Sequence, residues 1–427
     1  MDSKILSLII TDKMNYINNT NLKEKMMFYI IFPFGAWIHS VFHAKEKSSY
    51  VIFFLFSLLI CWHMSPTDLE KYDDFIGVLE RFESTTISKD QLFFDVKAYF
   101  SNSDSAPRDI YESILTWFVK SFSNNYHFFF FLASIPIALC QLKTMKFLTD
   151  DERYKNASML GVILIAMFIF PRDILTVQNP RFATGFWLCV MASVLFFYKR
   201  EKIKSLLLLS FAPMCHSGLL PFVGTFLIYL IIPQNIKFLK TIAIISIPLA
   251  FLDANLMNYI DIDILPPSLQ TWASIYLSDE AFSRYVLQEG RSGFWWVQAS
   301  FELMMKVSYI IMTWQLIKQA DIKKKTNSNT KLLLFYLFIF TLVNLVQFIP
   351  EMGARYYWFL RVLCIFVWFK HFGFTKPKTL YLLAFSCSFL MFMRYGYIIG
   401  GALAVTTPLD IFIMPLPFLM VKGVFWN

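Results

Sequence analysis

A histidine inside a long uncharged stretch is the first feature of this chain that could do chemistry. Between Lys204 and Lys237 the chain has 32 residues without a formal charge, and His216 lies near their middle. At about 1.5 Å per residue, this stretch is too long for one untilted crossing of a membrane core of roughly 30 Å and short for two. Two prolines and a glycine predict a break there, where only protein or water can satisfy the open backbone. The surrounding sequence is Pro213-Met214-Cys215-His216-Ser217-Gly218-Leu219-Leu220-Pro221.

The sequence leaves the role of this histidine open. A neutral imidazole at His216 could be a general base, a hydrogen-bond donor to a substrate or a satisfied buried group. A second pair, His39 and His43, has the spacing of four residues that can hold a metal, but no glutamate accompanies it in an HExxH arrangement. The sequence therefore predicts no metal site.

Arginine is the second residue type with chemical potential, because three short loops between apolar stretches carry it as their sole cation. The planar guanidinium binds phosphate or carboxylate through two hydrogen bonds, which the ammonium of lysine cannot do. The pattern predicts an anion site. The alternative is that each arginine pairs with a nearby acid, namely Asp173, Glu289 or Glu351, or reaches lipid headgroups. The arginines are Arg172 and Arg181, Arg284 and Arg291, and Arg355 with Arg361 just beyond it.

Carboxylates cluster at the beginning of a long loop, in Asp68-Leu69-Glu70-Lys71-Tyr72-Asp73-Asp74. Such a cluster is usually a solvated start of a loop, and Tyr72 and Asp73 are kept as candidates for substrate binding. There is no Walker A sequence, no GxGxxG opening a helix and no GxSxG elbow, so neither ATP hydrolysis nor a dinucleotide cofactor is indicated. The energy for any reaction would have to come from the substrate itself.

The composition is that of a polytopic membrane protein. Of the 427 residues, 57% are hydrophobic and 16% are charged, and both values lie far from those of soluble proteins. The net charge of +9 resides mostly in short lysine-rich loops, which fits orientation in a lipid bilayer better than binding to nucleic acid. All six cysteines lie in apolar stretches without CxxC spacing and are expected to be small buried residues. We also expect no cleavable signal peptide, because the apolar core Ile5–Ile10 is too short.

These patterns predict an all-α, polytopic membrane helical bundle with about 11–13 transmembrane helices. Residues 1–427 would form a single integral-membrane domain, with an exterior loop at 65–125 between early spans. Within this loop, Ile110–Phe122 could form a helix on the membrane surface. The expected spans are 27–43, 49–64, 126–142, 157–170, 182–198, a broken pair within 205–232, 240–257, 295–317, 331–349, 356–372, 379–397 and 408–425.

Lysine-rich loops belong in the cytoplasm by the positive-inside rule. Both flanks of the uncharged stretch then lie on the same side, so parity predicts a hairpin or re-entrant pair around His216. The same count places the arginine loops and the loop 65–125 outside, and that loop carries 11 acidic residues against 6 Lys and Arg. The side of the N-terminus stays open, because its lysines favour the cytoplasm while the parity of the later spans favours the exterior.

Four short motifs, taken together, resemble the EpsG-like branch of bacterial polysaccharide polymerases, the Wzy-type enzymes of O-antigen, capsule and exopolysaccharide synthesis. The most telling is an Arg-Phe that opens a span and is followed some 35 residues later by His-Ser. The long loop 65–125 departs from this branch, which often places a large loop later in the chain. The motifs are Asp68 to Tyr72, Asn179-Pro180-Arg181-Phe182-Ala183, His216-Ser217 and Arg355-Tyr356-Tyr357-Trp358.

The resemblance implies a metal-independent glycosyltransferase of GT-C type in the bacterial inner membrane, with its active site facing the periplasm and no cofactor. Donor and acceptor would both be undecaprenyl-diphosphate-linked oligosaccharides, and a chain-length regulator protein is a candidate partner. Arg181 and Arg355 would stabilise the departing diphosphate, with Arg172 and Arg361 in support. His216 would orient or deprotonate the acceptor.

Two other classes stay open. A lipid-linked oligosaccharide flippase or another transporter would have paired halves with similar broken helices, and one clear break is visible here. A membrane-bound O-acyltransferase also uses an intramembrane histidine, but it would need a cytoplasmic entrance for its acyl-CoA donor, whereas the arginines are expected outside.

Overall fold

Helices make up the regular structure of this protein. The computed structural model describes residues 22–64, 73–85, 88–101, 109–150, 179–232, 234–252, 295–319, 328–372, 383, 410 and 413–425. Within these ranges the regular elements are all helical and no strand occurs. The predicted all-α class is therefore confirmed.

Three helices have the length and apolar composition of membrane spans, namely Tyr126–Thr149, Pro180–Lys199 and Asn329–Val346. Shorter apolar helices lie at Lys47–Trp62 and Ser217–Ile231. These helices indicate a membrane protein, as the composition predicts, while the number of 11–13 crossings stays a prediction. The expected span 157–170 lies outside the described residues, as does 379–397 apart from Leu383.

The described residues form two compact units. The first unit takes its residues from Met1–Met191, Leu208–Leu220 and Met391–Asn427, and the second takes them from Ala192–Leu207 and Pro221–Leu390. The prediction of a single domain over the whole chain is not tested by this division. The helices found mainly in the first unit are α1 (22–31), α2 (Pro33–Phe42), α3 (Lys47–Trp62), α4 (Asp73–Ser84), α5 (Lys89–Ser101), α6 (Tyr111–Lys120), α7 (Tyr126–Thr149) and α8 (Pro180–Ser193).

Helix α7 is the centre of the first unit. It packs along α3, and near the ends of both helices the ring of Trp62 meets Phe128 edge-on at a centroid distance of 4.8 Å. Helices α4 and α6 pack on α7 as well, and α5 packs on α6. Burial of such aromatic side chains stabilises each contact by a few kcal/mol. The three helices between 73 and 120 are therefore anchored to a candidate membrane span.

Helix α6 confirms the helix predicted within Ile110–Phe122, although its place on a membrane surface is not tested. Its buried side chains are Glu112, Thr116 and Val119. These positions recur at intervals of three and four residues, so they form one face of the helix. A glutamate on that buried face requires a partner of opposite charge.

The helix broken at His216 is also confirmed. Helix α9 (Lys202–Cys215) ends one residue before His216, whose backbone is extended with φ −157° and ψ 117°. A 3₁₀ turn at Ser217–Leu219 then leads into α10 (Leu220–Ile231). Pro213 has no N–H to donate and its ring crowds the preceding turn, so α9 stops within three residues of it. The predicted hairpin path of this segment stays a prediction.

The second unit is built around a nearly fully buried helix, α13 (Ser328–Val346). This helix packs against α11 (Ile236–Ser246), α14 (Pro350–Phe372) and a π-helical turn at Val194–Lys199. In this turn the ring of Phe197 stacks on Phe335 of α13 at 4.4 Å. The remaining described helices are α11 (Ile236–Ser246) with a 3₁₀ turn at Ile247–Phe251, α12 (Trp295–Gln319), α14 (Pro350–Phe372) and, in the first unit, α15 (Leu416–Phe425).

Candidate functional site

Four charged side chains meet at the start of α6 in the first unit. Arg181 donates from Nη1 to Asp109 Oδ2 at 3.1 Å, and its Nε lies 2.8 Å from Glu112 Oε2. The second contact is an ion pair by distance, and its angle does not make a hydrogen bond. Arg81 donates to the same Glu112, from Nε at 2.7 Å and from Nη2 at 3.3 Å. Two guanidinium groups and two carboxylates therefore form a network with no net charge.

Local structure explains how each of these groups is positioned. Helix α8 begins at Pro180, and the side chain of Asn179 caps it by accepting from the N–H of Phe182 at 3.2 Å. This cap holds Arg181 in the first turn of α8. Asp109 and Glu112 lie at the beginning of α6, where the helix dipole favours negative charge.

Burial distinguishes the carboxylate of Asp109 from that of an ordinary surface acid. The side chain of Asp109 is 4% exposed and that of Arg181 is 21% exposed. Loss of water raises the pKa of Asp109 to about 6; the charge of Arg181 opposes this rise and that of Glu112 adds to it. Asp109 can thus change its protonation state near neutral pH, which an exposed aspartate does not do.

His216 lies beside this network with one ring nitrogen already engaged. Its Nδ1 accepts a hydrogen bond from the N–H of Gly218 at 3.0 Å. Because Nδ1 must offer its lone pair to that N–H, the proton of the neutral ring resides on Nε2. This contact favours the role of hydrogen-bond donor for the imidazole, because the lone pair of Nδ1 already accepts from the N–H of Gly218. The roles that the sequence left open for His216 stay predictions.

Three contacts join the break to the charged network. The N–H of Ile110 donates to Met214 O at 3.2 Å, directly beside Asp109 in sequence. The ring of Phe182, next to Arg181, meets the His216 ring edge-on at 5.5 Å. On α5, the hydroxyl of Tyr99 lies 3.5 Å from Pro213 O. The beginnings of α6 and α8 and the broken segment thus converge in one compact unit.

Gly185 makes this convergence possible. A Cβ at this position would lie 2.8 Å from the backbone oxygen of Ala212 and would overlap with Cδ1 of Leu219. The contact with Leu219 can be relieved by a side-chain rotation, but the backbone oxygen cannot move without shifting the end of α9. Helix α8 therefore approaches the broken segment as closely as a glycine permits.

We expect Gly185→Ala to displace the broken segment from α8 and to cost about 1–3 kcal/mol of stability, as overpacking in a close-packed core does. The measurement is the thermal unfolding midpoint of the purified protein in detergent. Gly224→Ala is the matched control, because a Cβ there meets no atom within 4 Å. Equal midpoints for the two variants would contradict this account of Gly185.

Arg181 is the predicted site residue within this network, and the remaining predicted site residues belong to other parts of the chain. Arg355 and Arg361 lie on α14 in the second unit, where Arg361 is buried and Arg355 is half-buried. Asp73 begins α4. Arg172, Arg284, Arg291 and Tyr72 lie outside the described residues. Their roles stay predictions.

Sequence reasoning missed the acids of the site. An arginine paired with an acid, the alternative drawn from the sequence, occurs for Arg181, and its partners among the described residues are Asp109 and Glu112. Asp173, the acid close to it in sequence, lies outside the described residues. Two signals could have pointed to them. The loop 65–125 has an excess of acids, and Glu112 shares the predicted helix Ile110–Phe122 with apolar residues, which is unusual for a solvated charge.

In the described part of the chain, no group of three or more His, Cys, Asp or Glu side chains could hold a metal ion. The fold and the site together define an all-helical membrane protein with a buried arginine–carboxylate network. Comparison with protein-family models, with curated proteins and with solved structures finds no match to this chain. Function has to be inferred from the residues themselves.

Proposed function

We propose that this protein is a polysaccharide polymerase that transfers a growing undecaprenyl-diphosphate-linked glycan onto a new lipid-linked repeat unit. The observation that supports the proposal best is the position of Arg181. Its guanidinium lies at a helix start and is ion-paired with a carboxylate of raised pKa, and the ring of the next residue, Phe182, packs on His216. A glycosyl transfer from a diphosphate needs these three kinds of group.

The first need is a cation for the leaving group. When the bond between the sugar and the diphosphate breaks, negative charge develops on phosphate oxygens, and a preorganised guanidinium stabilises this charge strongly in a site of low polarity. Arg181 already holds two carboxylates, which are smaller mimics of a phosphate. Its contacts with described residues use Nε and Nη1. Nη2 can therefore donate a hydrogen bond to a phosphate oxygen.

The second need is a pair of groups for the acceptor hydroxyl, one that orients it and one that takes its proton. The Nε2–H of His216 can donate to the acceptor oxygen and fix its position. The hydroxyl of Tyr99, which lies beside the break, offers a further polar contact.

The rest of the proposal concerns the architecture. The protein would be a GT-C-like bundle of 11–13 spans in the bacterial inner membrane, with this site facing the periplasm and the helices between 73 and 120 outside. Arg355, Arg361 and Arg172 would support the diphosphate, and Arg284 and Arg291 would contribute to substrate binding. The lipid diphosphate supplies the energy, so the reaction needs neither metal nor nucleotide.

The proposal is tested by deleting the gene and separating the surface polysaccharide by size on a gel. We expect loss of long chains with single repeat units retained, and restoration of long chains by the wild-type gene. Complete loss of exported units would reject the proposal in favour of a flippase. Unchanged chain length with a missing acyl group would reject it in favour of an O-acyltransferase.

A further inference from the structure

The proposed reaction needs a group that accepts the proton of the acceptor hydroxyl, and the geometry of the break argues against His216. The N–H of Gly218 occupies Nδ1 of its ring at 3.0 Å, and the same hydrogen bond caps the 3₁₀ turn Ser217–Leu219. For the ring to become a base through Nε2, the proton would first have to move to Nδ1. That move would break the cap and leave the N–H of Gly218 without its acceptor.

Asp109 is the carboxylate that meets the requirements of a base. Asp109 lies where α5, α6, α8 and the broken segment at His216 meet, and it is almost fully buried. Among the described residues, the hydrogen bond to Arg181 uses Oδ2, which leaves Oδ1 as an acceptor. Glu112 is less suited, because Arg81 holds both of its oxygens.

We propose that Asp109 accepts the proton of the acceptor hydroxyl, while His216 orients that hydroxyl and Arg181 receives the diphosphate. This inference rests on the proposed function and names a residue that no motif of the chain points to. Asp109 and Arg181 are joined by an ion pair, and the ring of Phe182, the residue after Arg181, packs on His216. They belong to the same compact unit.

The step balances in atoms and charge. The O–H bond of the acceptor breaks, and its proton moves to Oδ1 of Asp109. The acceptor oxygen forms a bond to the anomeric carbon of the donor sugar, and the bond from that carbon to the diphosphate oxygen breaks with its electron pair on the oxygen. Asp109 becomes neutral as the diphosphate becomes more negative. Arg181 therefore loses its attraction to one anion at the moment at which the other appears beside it.

The groups that face Asp109 determine the direction of its titration. Burial raises its pKa to about 6, and the positive charges of Arg181 and Arg81 oppose the rise that Glu112 reinforces. A base must be deprotonated to act, so the rate should rise as the pH increases through about 6. The surrounding groups are Arg81 on α4, Tyr99 on α5, Glu112 on α6, Arg181 on α8 and Cys215 at the end of α9.

The test measures the rate of chain extension against pH in proteoliposomes that contain the full-length protein. The substrates are lipid-linked single repeat units extracted from the deletion strain. We expect the wild-type rate to rise through about pH 6, following the pKa of Asp109. Asp109→Asn keeps the hydrogen bond to Arg181 and should lower the plateau rate by about 100-fold or more, with no rise near pH 6. His216→Asn keeps an acceptor for Gly218, and it should lower the rate while the rise persists.

Three controls separate the possible failures. Asp95→Asn makes the same change on α5, where the side chain accepts from Gln91, and should behave as wild type. Asp109→Glu should retain the rise at a reduced rate, which excludes misfolding as the cause of the loss in Asp109→Asn. If Asp109→Asn keeps the wild-type profile, or if the rise disappears in His216→Asn alone, Asp109 is not the base. If wild-type protein extends no chains, the proposed function itself is wrong.

Discussion

Arg181→Lys is expected to remove long polysaccharide chains while single repeat units remain, because it keeps the positive charge and loses the planar fork. The lysine ammonium can hold one carboxylate, but it cannot reproduce both the hydrogen bond from Nη1 to Asp109 and the ion pair of Nε with Glu112. Loss of one preorganised donor to a developing anion typically lowers the rate by about 10²–10³-fold. The measurement is the distribution of chain lengths on a gel, together with the extension rate in proteoliposomes.

Two comparisons make the Arg181→Lys result specific. Arg200→Lys applies the same chemical change to an exposed residue of a lysine-rich loop and should leave chain length normal. Arg81→Lys disturbs the network through Glu112 alone. It should therefore cause a smaller loss of long chains than Arg181→Lys. Normal chain length in Arg181→Lys at normal protein abundance would contradict the diphosphate role of Arg181.

The break at His216 could be predicted from the sequence because its causes are local. Pro213 removes a backbone donor near the end of α9, and Pro221 lies in the first turn of α10, where its missing N–H has no cost. Every residue that shapes the break lies within nine positions along the chain. Local rules also predict α7 and the span at Pro180–Lys199 from length and apolar content.

The acids of the site could not be predicted in the same way. Asp109 and Arg181 are 72 positions apart, so their pairing depends on how α6 packs against α7 and on where α8 begins. Charge alone left several candidate partners for Arg181, and Asp109 and Glu112 are not among the acids close to it in sequence. The tautomer of His216 is likewise a consequence of the turn, because the N–H that occupies Nδ1 belongs to Gly218. Residue types therefore predicted where charged and polar groups lie along the chain, and tertiary contacts determine which of them pair.

Glu112→Ala is expected to destabilise the protein more than any other single change in the network, because Glu112 is the anion shared by both arginines. Its removal deprives Arg81 of both hydrogen bonds and leaves Arg181 with Asp109 alone. Breaking a buried ion pair by deleting one partner costs about 3–5 kcal/mol, and the half-exposed Arg81 places the cost near the lower end. The unfolding midpoint should fall by at least several degrees.

A double-mutant cycle tests this account of Glu112. Arg81→Ala alone should cost about 1 kcal/mol, because an exposed partner gains little from pairing and Glu112 keeps Arg181. The double variant should lose less stability than the sum of the single losses, since the interaction between the two residues is removed only once. Full additivity would mean that the two side chains are not coupled.

The single variants also distinguish stability from catalysis. Arg181→Lys should lower the extension rate with a small change in the unfolding midpoint, whereas Glu112→Ala should lower both. That difference follows from the two roles: Glu112 ties α4 and α8 to α6, while Arg181 would stabilise the leaving diphosphate under the proposed function.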